Sequence, residues 1–221
     1  MAFGRFGRGG CLFLDCVGAS SVMTSVVARC VFDGNGTNTT QKAQLGSVHF
    51  SSGVLYMTNC LVSRAGIEGG LVCEPVKVAN QFELVEPASY THVADIVNVT
   101  FADNARWGFR HKSTSATANL RNCIAWGNVE GGVSNATTVV FTDAQDGVLG
   151  GAGNTSGAPL FVDAANGNYR LKSRSPCGNV GDRTGFARGD VDLDGEPRLR
   201  GGIDLGCYES CDAGGSYIMV R

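Results

Sequence analysis

Short apolar runs with a period of two, punctuated every few residues by Gly, Asn or Ser, run through most of this chain. Four stretches align without gaps: 27–35, 57–65, 96–104 and 120–128. Their first column is apolar throughout (Val27, Met57, Ile96, Leu120), and the third is Arg29, Asn59, Asn98 and Asn122. The fourth reads Cys30, Cys60, Val99, Cys123, the sixth Phe32, Val62, Phe101, Ala125, and the last Asn35, Ala65, Asn104, Asn128. A short strand, a bend and a second short strand explain such a unit. One unit cannot bury its own apolar side, whereas a parallel stack places like residues over one another about 4.8 Å apart. The apolar columns then line an interior. The Asn columns sit at bends, where Asn tolerates a left-handed backbone and bonds along the stack.

The fourth column recurs after 30, 39 and 24 residues. Helical solenoids hold their period more closely, and no sustained i, i+3, i+4, i+7 stripe occurs, so a strand solenoid with loops of variable length is predicted. Further strands are predicted at Gly9-Gly10-Cys11-Leu12-Phe13-Leu14, Ser47-Val48-His49-Phe50, Gly69-Gly70-Leu71-Val72-Cys73 and Thr137-Thr138-Val139-Val140-Phe141. The stretch 74–92, with Pro75, Pro87 and several Glu, reads as a loop excursion. The domain reading is therefore coils over 1–156, a distinct segment over 157–209 and a tail over 210–221.

Composition agrees. Of 221 residues, 32 are Gly and 43% are hydrophobic, and only 17% are charged, which excludes a disordered chain. A net charge of −2 with scattered Arg gives no phosphate-binding stripe, so no nucleic-acid partner is expected. No apolar run reaches the length of a membrane span. The basic N-terminus lacks the apolar core of a secretory leader. Because its first residues already read as repeat, the chain is expected to belong to a longer one.

The nine cysteines show no metal spacing and most are expected to pack as small hydrophobes; Cys177 and Cys207 are left open between a bridge and free thiols. His49, His92 and His111 are dispersed, and His111, between Arg110 and Lys112, reads as solvent-facing. Five N-x-S/T sites (Asn35, Asn38, Asn98, Asn135, Asn154) are attributed to Asn- and Thr-rich bends.

Three groups of residues are candidates for chemistry. Asp33 and Asp103 fall one position apart in the alignment, so stacking could bring them together as an acid pair of the kind glycosidases use. Asp190, Asp192 and Asp194 precede Gly195 as in the start of a calcium loop, although the twelfth position is Gly201 instead of Glu; a turn held by an Arg–Asp pair is the competing reading. Trp107, Phe109 and Trp126 could stack on sugar rings from an outer face or cover the flank of the stack.

The segment 157–209 contains, in order, Pro159-Leu160-Phe161-Val162-Asp163, Tyr169-Arg170-Leu171, Ser175-Pro176-Cys177, Asp192-Leu193-Asp194-Gly195-Glu196-Pro197-Arg198 and Asp204-Leu205-Gly206-Cys207-Tyr208-Glu209. This series resembles the closing segment of bacterial right-handed parallel β-helix proteins of the choice-of-anchor Q type. Asn122-Cys123-Ile124-Ala125-Trp126-Gly127-Asn128 is similar to the repeats of those proteins and of polymorphic outer membrane proteins. The resemblance implies an all-β, right-handed, single-stranded parallel β-helix of pectate-lyase-like form, secreted or at the cell surface. It implies a monomeric adhesive, spacer or carbohydrate-binding rod with carbohydrate or cell-surface partners and no cofactor beyond a structural calcium. The alternative is a lyase or glycoside hydrolase of acidic polysaccharide. The last segment is expected to blunt the open end of the stack, with Arg170 and Arg198 paired to acids such as Asp192, Asp204 or Glu209.

Overall fold

A computed structural model of the chain describes residues 12–14, 22–35, 46–66, 68–74, 78–79, 84–85, 91–112 and 117–210. The described residues pass five times through a three-strand turn. The first turn is β1 (Leu12–Leu14), β2 (Thr24–Ala28) and β3 (Val31–Asp33). The second is β4 (Val48–Phe50), β5 (Gly53–Thr58) and β6 (Leu61–Ser63). The third is β7 (Leu71–Cys73), β10 (His92–Val97) and β11 (Thr100–Ala102), interrupted by an antiparallel pair, β8 (Val78–Ala79) and β9 (Leu84–Val85). The fourth is β12 (Trp107–His111), β13 (Thr117–Arg121) and β14 (Ile124–Trp126), and the fifth is β15 (Gly131–Ser134), β16 (Thr138–Val140) and β17 (Asp143–Ala144).

Equivalent strands pair in parallel. The first sheet runs β1-β4-β7-β12-β15, the second β2-β5-β10-β13-β16 and the third β3-β6-β11-β14-β17. The protein is thus all-β, with three five-stranded parallel sheets consistent with a β-helix-like solenoid. Val27, Met57, Ile96 and Leu120 are registered partners on the second sheet, as the alignment requires. Phe32, Val62, Phe101 and Ala125 form the matching column on the third. Both columns lie in one buried cluster with Leu71, Phe109, Cys60 and Cys123.

Two corners shape each turn. Between the second and third sheets stand Arg29, Asn59, Asn98, Asn122 and Phe141, all with φ between 47° and 54°. The Asn column of the sequence therefore marks a left-handed corner, where Asn costs less than most residues. After the third sheet, Gly34, Arg64, Asp103 and Gly127 repeat the conformation. Asn104 and Asn128 follow, buried and bonded along the stack. Asn104 Nδ2 donates to Asn128 Oδ1 at 2.7 Å and to the Val62 carbonyl at 3.2 Å, and Asn128 Nδ2 donates to the Phe101 carbonyl at 3.1 Å. Gln145 takes the fifth place, its amide bonding both backbone groups of Asn128. The Gly pairs enter the first sheet where neighbouring turns touch: a Cβ on Gly69 would strike the Trp107 carbonyl, and one on Gly70 the Gly108 carbonyl.

The segment 157–210 departs from its expected position. It opens with the antiparallel pair β18 (Phe161–Asp163) and β19 (Asn168–Leu171), joined by a single 3-10 turn, and continues in turns. It lies along the flank of the stack and covers the outer side of the third sheet. Leu61 and Ala102 pack there against Tyr169, Cys207 and Tyr208, and Ile124 against Leu171, Cys177 and Leu205. The reason is the outward face of that sheet: Leu61, Ala102 and Ile124 are apolar, and covering a side chain the size of Leu or Ile contributes about 1.5–3 kcal/mol. The fifth turn is closed instead by the loop before that segment. Asn154 Oδ1 accepts from the Thr142 N–H, Thr155 bridges Asp143 in parallel, and Leu149 packs against the interior.

One smaller expectation is also corrected, and one open alternative is resolved. His111 is 1% exposed, because β12 alternates and its register partner is the interior Cys73. Cys177 and Cys207 do not bridge; among the described residues, Cys30, Cys60, Cys73, Cys123, Cys177 and Cys207 are all free thiols. Five of the six are buried, as expected of small hydrophobes.

Candidate functional site

Asp33 and Asp103 do share one cluster, at the edge of the third sheet where it meets β18–β19. Asp33 ends β3 and registers with Ser63, whose hydroxyl donates to Asp33 Oδ1 at 2.8 Å. Arg64 follows in the left-handed corner and grips Asp33 with Nε, at 2.7 Å, and with Nη2. This guanidinium holds the Asp33 carboxyl below the usual range. Its charge also acts on Asp103 and Tyr169. Asp103, in the same corner one turn on, accepts the Tyr169 hydroxyl at 2.9 Å. Burial, then the bond to Asp103, raises the Tyr169 phenol above its ordinary value. A carboxylate held down by Arg64 is a weaker base, and a phenol pushed up keeps its proton. The arrangement fastens the hairpin to the stack.

The carboxylates of the calcium-like loop diverge. Asp190 Oδ2 accepts the Ala187 N–H at 2.8 Å. Asp192, fully buried, accepts the Glu196 and Glu209 N–H groups, each at 2.7 Å. Asp194 receives Arg170 in a two-point pair at 2.7 and 2.6 Å. Among the described residues no three His, Cys, Asp or Glu side chains gather as metal ligands. The loop forms a turn, closed from the Gly195 N–H to the Asp192 carbonyl and held by the Arg170–Asp194 pair.

The three aromatic candidates are also separated. Phe109 is fully buried, tilted against Phe101 at 6.3 Å, because its place in β12 registers with the interior Leu71 and Val133. Trp126 leaves the interior, as expected, and is half covered by the flanking segment beside Ile124 and Leu171. Trp107 stays half-exposed at a corner, its ring lying where a Cβ on Gly131 would sit. They form no common platform.

Sequence reasoning anticipated one feature in part, the pairing of Arg198 with an acid such as Glu209, and overlooked another. The first is a buried polar knot. The fully buried Arg198 donates from Nη1 to Glu209 at 2.7 Å, from Nε and Nη2 to Asn59 Oδ1, and from Nη2 to the Gly206 carbonyl. Glu209 accepts the Asp204 N–H, and burial raises its carboxyl to about 7. The signal was the pairing of D-L-D-G-E-P-R with D-L-G-C-Y-E, which supplies Arg198 and Glu209 to one another.

The other is the outer face of the second sheet, whose strands include the two longest. One outward column reads Val26, Tyr56, Asp95, Asn119 and Thr138 in register. Val26 is 70% and Tyr56 44% exposed, and Asn119 Nδ2 donates to Asp95 Oδ1 at 2.7 Å. The alignment brought out the inward residues of these strands, and an outward column of mixed chemistry leaves no repeat to find.

Comparison with known proteins finds no matching family model, no matching curated protein and no matching solved structure. Among the described residues, no helix is long and apolar enough to cross a membrane.

Proposed function

We propose that the chain is a right-handed, pectate-lyase-like β-helix of the choice-of-anchor Q kind, acting at the cell surface or outside the cell as a non-catalytic, monomeric carbohydrate-binding rod. Location and kinship rest on the resemblance of 157–209 and of the repeats. The non-catalytic role rests on one observation: the carboxylates nominated as acids or ligands are committed elsewhere. Asp33 is held by Arg64, Asp103 by Tyr169, Asp194 by Arg170, and Asp190 and Asp192 by backbone N–H groups.

The binding face is the outer side of the second sheet. An exposed aromatic ring beside a carboxylate–amide pair, on a flat parallel surface, suits a sugar chain: the ring stacks and the polar pair bonds hydroxyls. The test is a glycan array with the purified chain, read beside assays for new reducing ends and unsaturated uronides on the glycans that bind. Binding without turnover, lost in Tyr56→Ala and Asp95→Ala, is expected. Turnover abolished by Asp33→Ala or Asp103→Ala would instead establish a lyase or hydrolase.

A further inference from the structure

Cys30 and Cys60 occupy the same place in successive turns. The flanking residues register as Ala28 with Thr58 and Val31 with Leu61, and the Leu61 N–H donates to the Cys30 carbonyl at 3.0 Å. Parallel neighbours lie about 4.8 Å apart at Cα, inside the roughly 4.4–6.8 Å that a disulfide spans. The Cys60 thiol already reaches the first turn. The Cys30 N–H approaches Cys60 Sγ at 3.5 Å, and that thiol points to the Val27 carbonyl at 3.6 Å. The next place in the column is Val99, so Cys123 stands two turns from Cys60, about twice that spacing and out of reach. Cys30 is half-exposed and Cys60 fully buried.

We propose that Cys30 and Cys60 are a redox-responsive pair that closes into a disulfide, stapling the first turn of the stack to the second. The oxidant is a small-molecule disulfide. The Cys30 thiolate attacks one of its sulfurs, forming a mixed disulfide and releasing one thiolate. Cys60 then gives its proton to solvent, and its thiolate attacks Cys30 Sγ, forming the internal bond and releasing the second thiolate. Two protein thiols are oxidised and the small disulfide is reduced to two thiols. The order follows from access, since only Cys30 meets solvent. Burial pushes the Cys60 thiol up to about 12, so the second step is the slower and quickens as pH rises.

The staple acts where it is most useful. The first turn carries the exposed Val26 and Val31, and the flanking segment covers turns beyond it. The bond closes a loop of 30 residues, which raises the apparent unfolding temperature by about 5 °C or more.

The experiment treats the full chain with oxidised glutathione, blocks remaining thiols by alkylation, digests with trypsin and maps cross-links by mass spectrometry. Cleavage at Lys42 separates the two cysteines. The expected result is a Cys30–Cys60 cross-link, absent in Cys30→Ser, with the temperature rise absent in the same variant. Cys60→Val, which places in the column the residue found at Val99, is expected to fold and to stop at the glutathione adduct on Cys30. A persistent adduct on Cys30 in the unaltered chain, a bond from either thiol to Cys11, Cys16 or Cys207, or no reaction at Cys30 would each overturn the proposal.

Discussion

The Arg198 guanidinium donates two hydrogen bonds to the side-chain oxygen of Asn59, at 3.1 and 2.6 Å, across 139 residues of sequence. Asn59 Nδ2 in turn donates to the Val191 carbonyl at 3.1 Å. The same corner column meets the flanking segment once more, where Asn122 exchanges bonds with the backbone of Asp182, and within the column Asn98 donates to Asn59 Oδ1. One asparagine column thus turns the chain on its own side and anchors the flanking segment on the other.

Glu209 gives this anchor a pH dependence. Its carboxyl sits at about 7 in the folded chain against 4.5 when free, chiefly through burial. A raised carboxyl binds its proton more tightly folded than unfolded, so its favourable contribution is fully present below about 4.5 and is lost as pH rises through about 7. Glu209→Gln, which keeps an acceptor for Arg198 and the Asp204 N–H, removes that slope. Unfolding temperatures between pH 5 and 8 are expected to decline more steeply for the unaltered chain than for the variant; parallel profiles would refute this.

Asn104 is the centre of the buried ladder. Its Oδ1 accepts the Ala65 N–H at 3.0 Å and its Nδ2 serves Val62 and Asn128. Asn104→Ala orphans these groups in the interior, each costing about 1–3 kcal/mol. Denaturant titration is expected to show a loss within or above that range, and Asn135→Ala, at an exposed site with one weak bond of 3.3 Å, a much smaller one.

Gly70 and Gly34 separate crowding from conformation. At Gly70 a Cβ meets the Gly108 backbone, which cannot yield without displacing a neighbouring turn. At Gly34 a Cβ meets nothing within 4 Å, and only its φ of 67° resists substitution. Gly34→Ala is expected to cost about 1 kcal/mol and Gly70→Ala several times that, by equilibrium unfolding.

The stack was legible in the sequence because repetition and burial coincide. The column Val27, Met57, Ile96, Leu120 is both the clearest repeat and the registered interior of the second sheet. The Asn columns were legible because left-handed corners select few residue types. Phe109 and His111 were misplaced for a local reason. Alternation within β12 sets their side, and its starting phase depends on where the chain enters the sheet at Trp107. The path of 157–210 could not be inferred, because Leu61, Ala102 and Ile124 alternate with the true interior and reveal an outer apolar face only once the register is known. Asp33 and Asp103 take their chemistry from Arg64 and Tyr169, which belong to separate parts of the chain and which no spacing in the sequence connects to them.

The segment after the stack is clamped to its flank through Arg198 and Asn59. A double-mutant cycle in equilibrium unfolding with Asn59→Ala and Arg198→Met measures this directly. Arg198→Met alone leaves Glu209 buried without its partner and is expected to cost about 3–5 kcal/mol. The two changes together are expected to fall short of additivity by at least about 1 kcal/mol. Additivity within about 0.5 kcal/mol would mean the two residues do not touch, and would contradict the flank-bound arrangement.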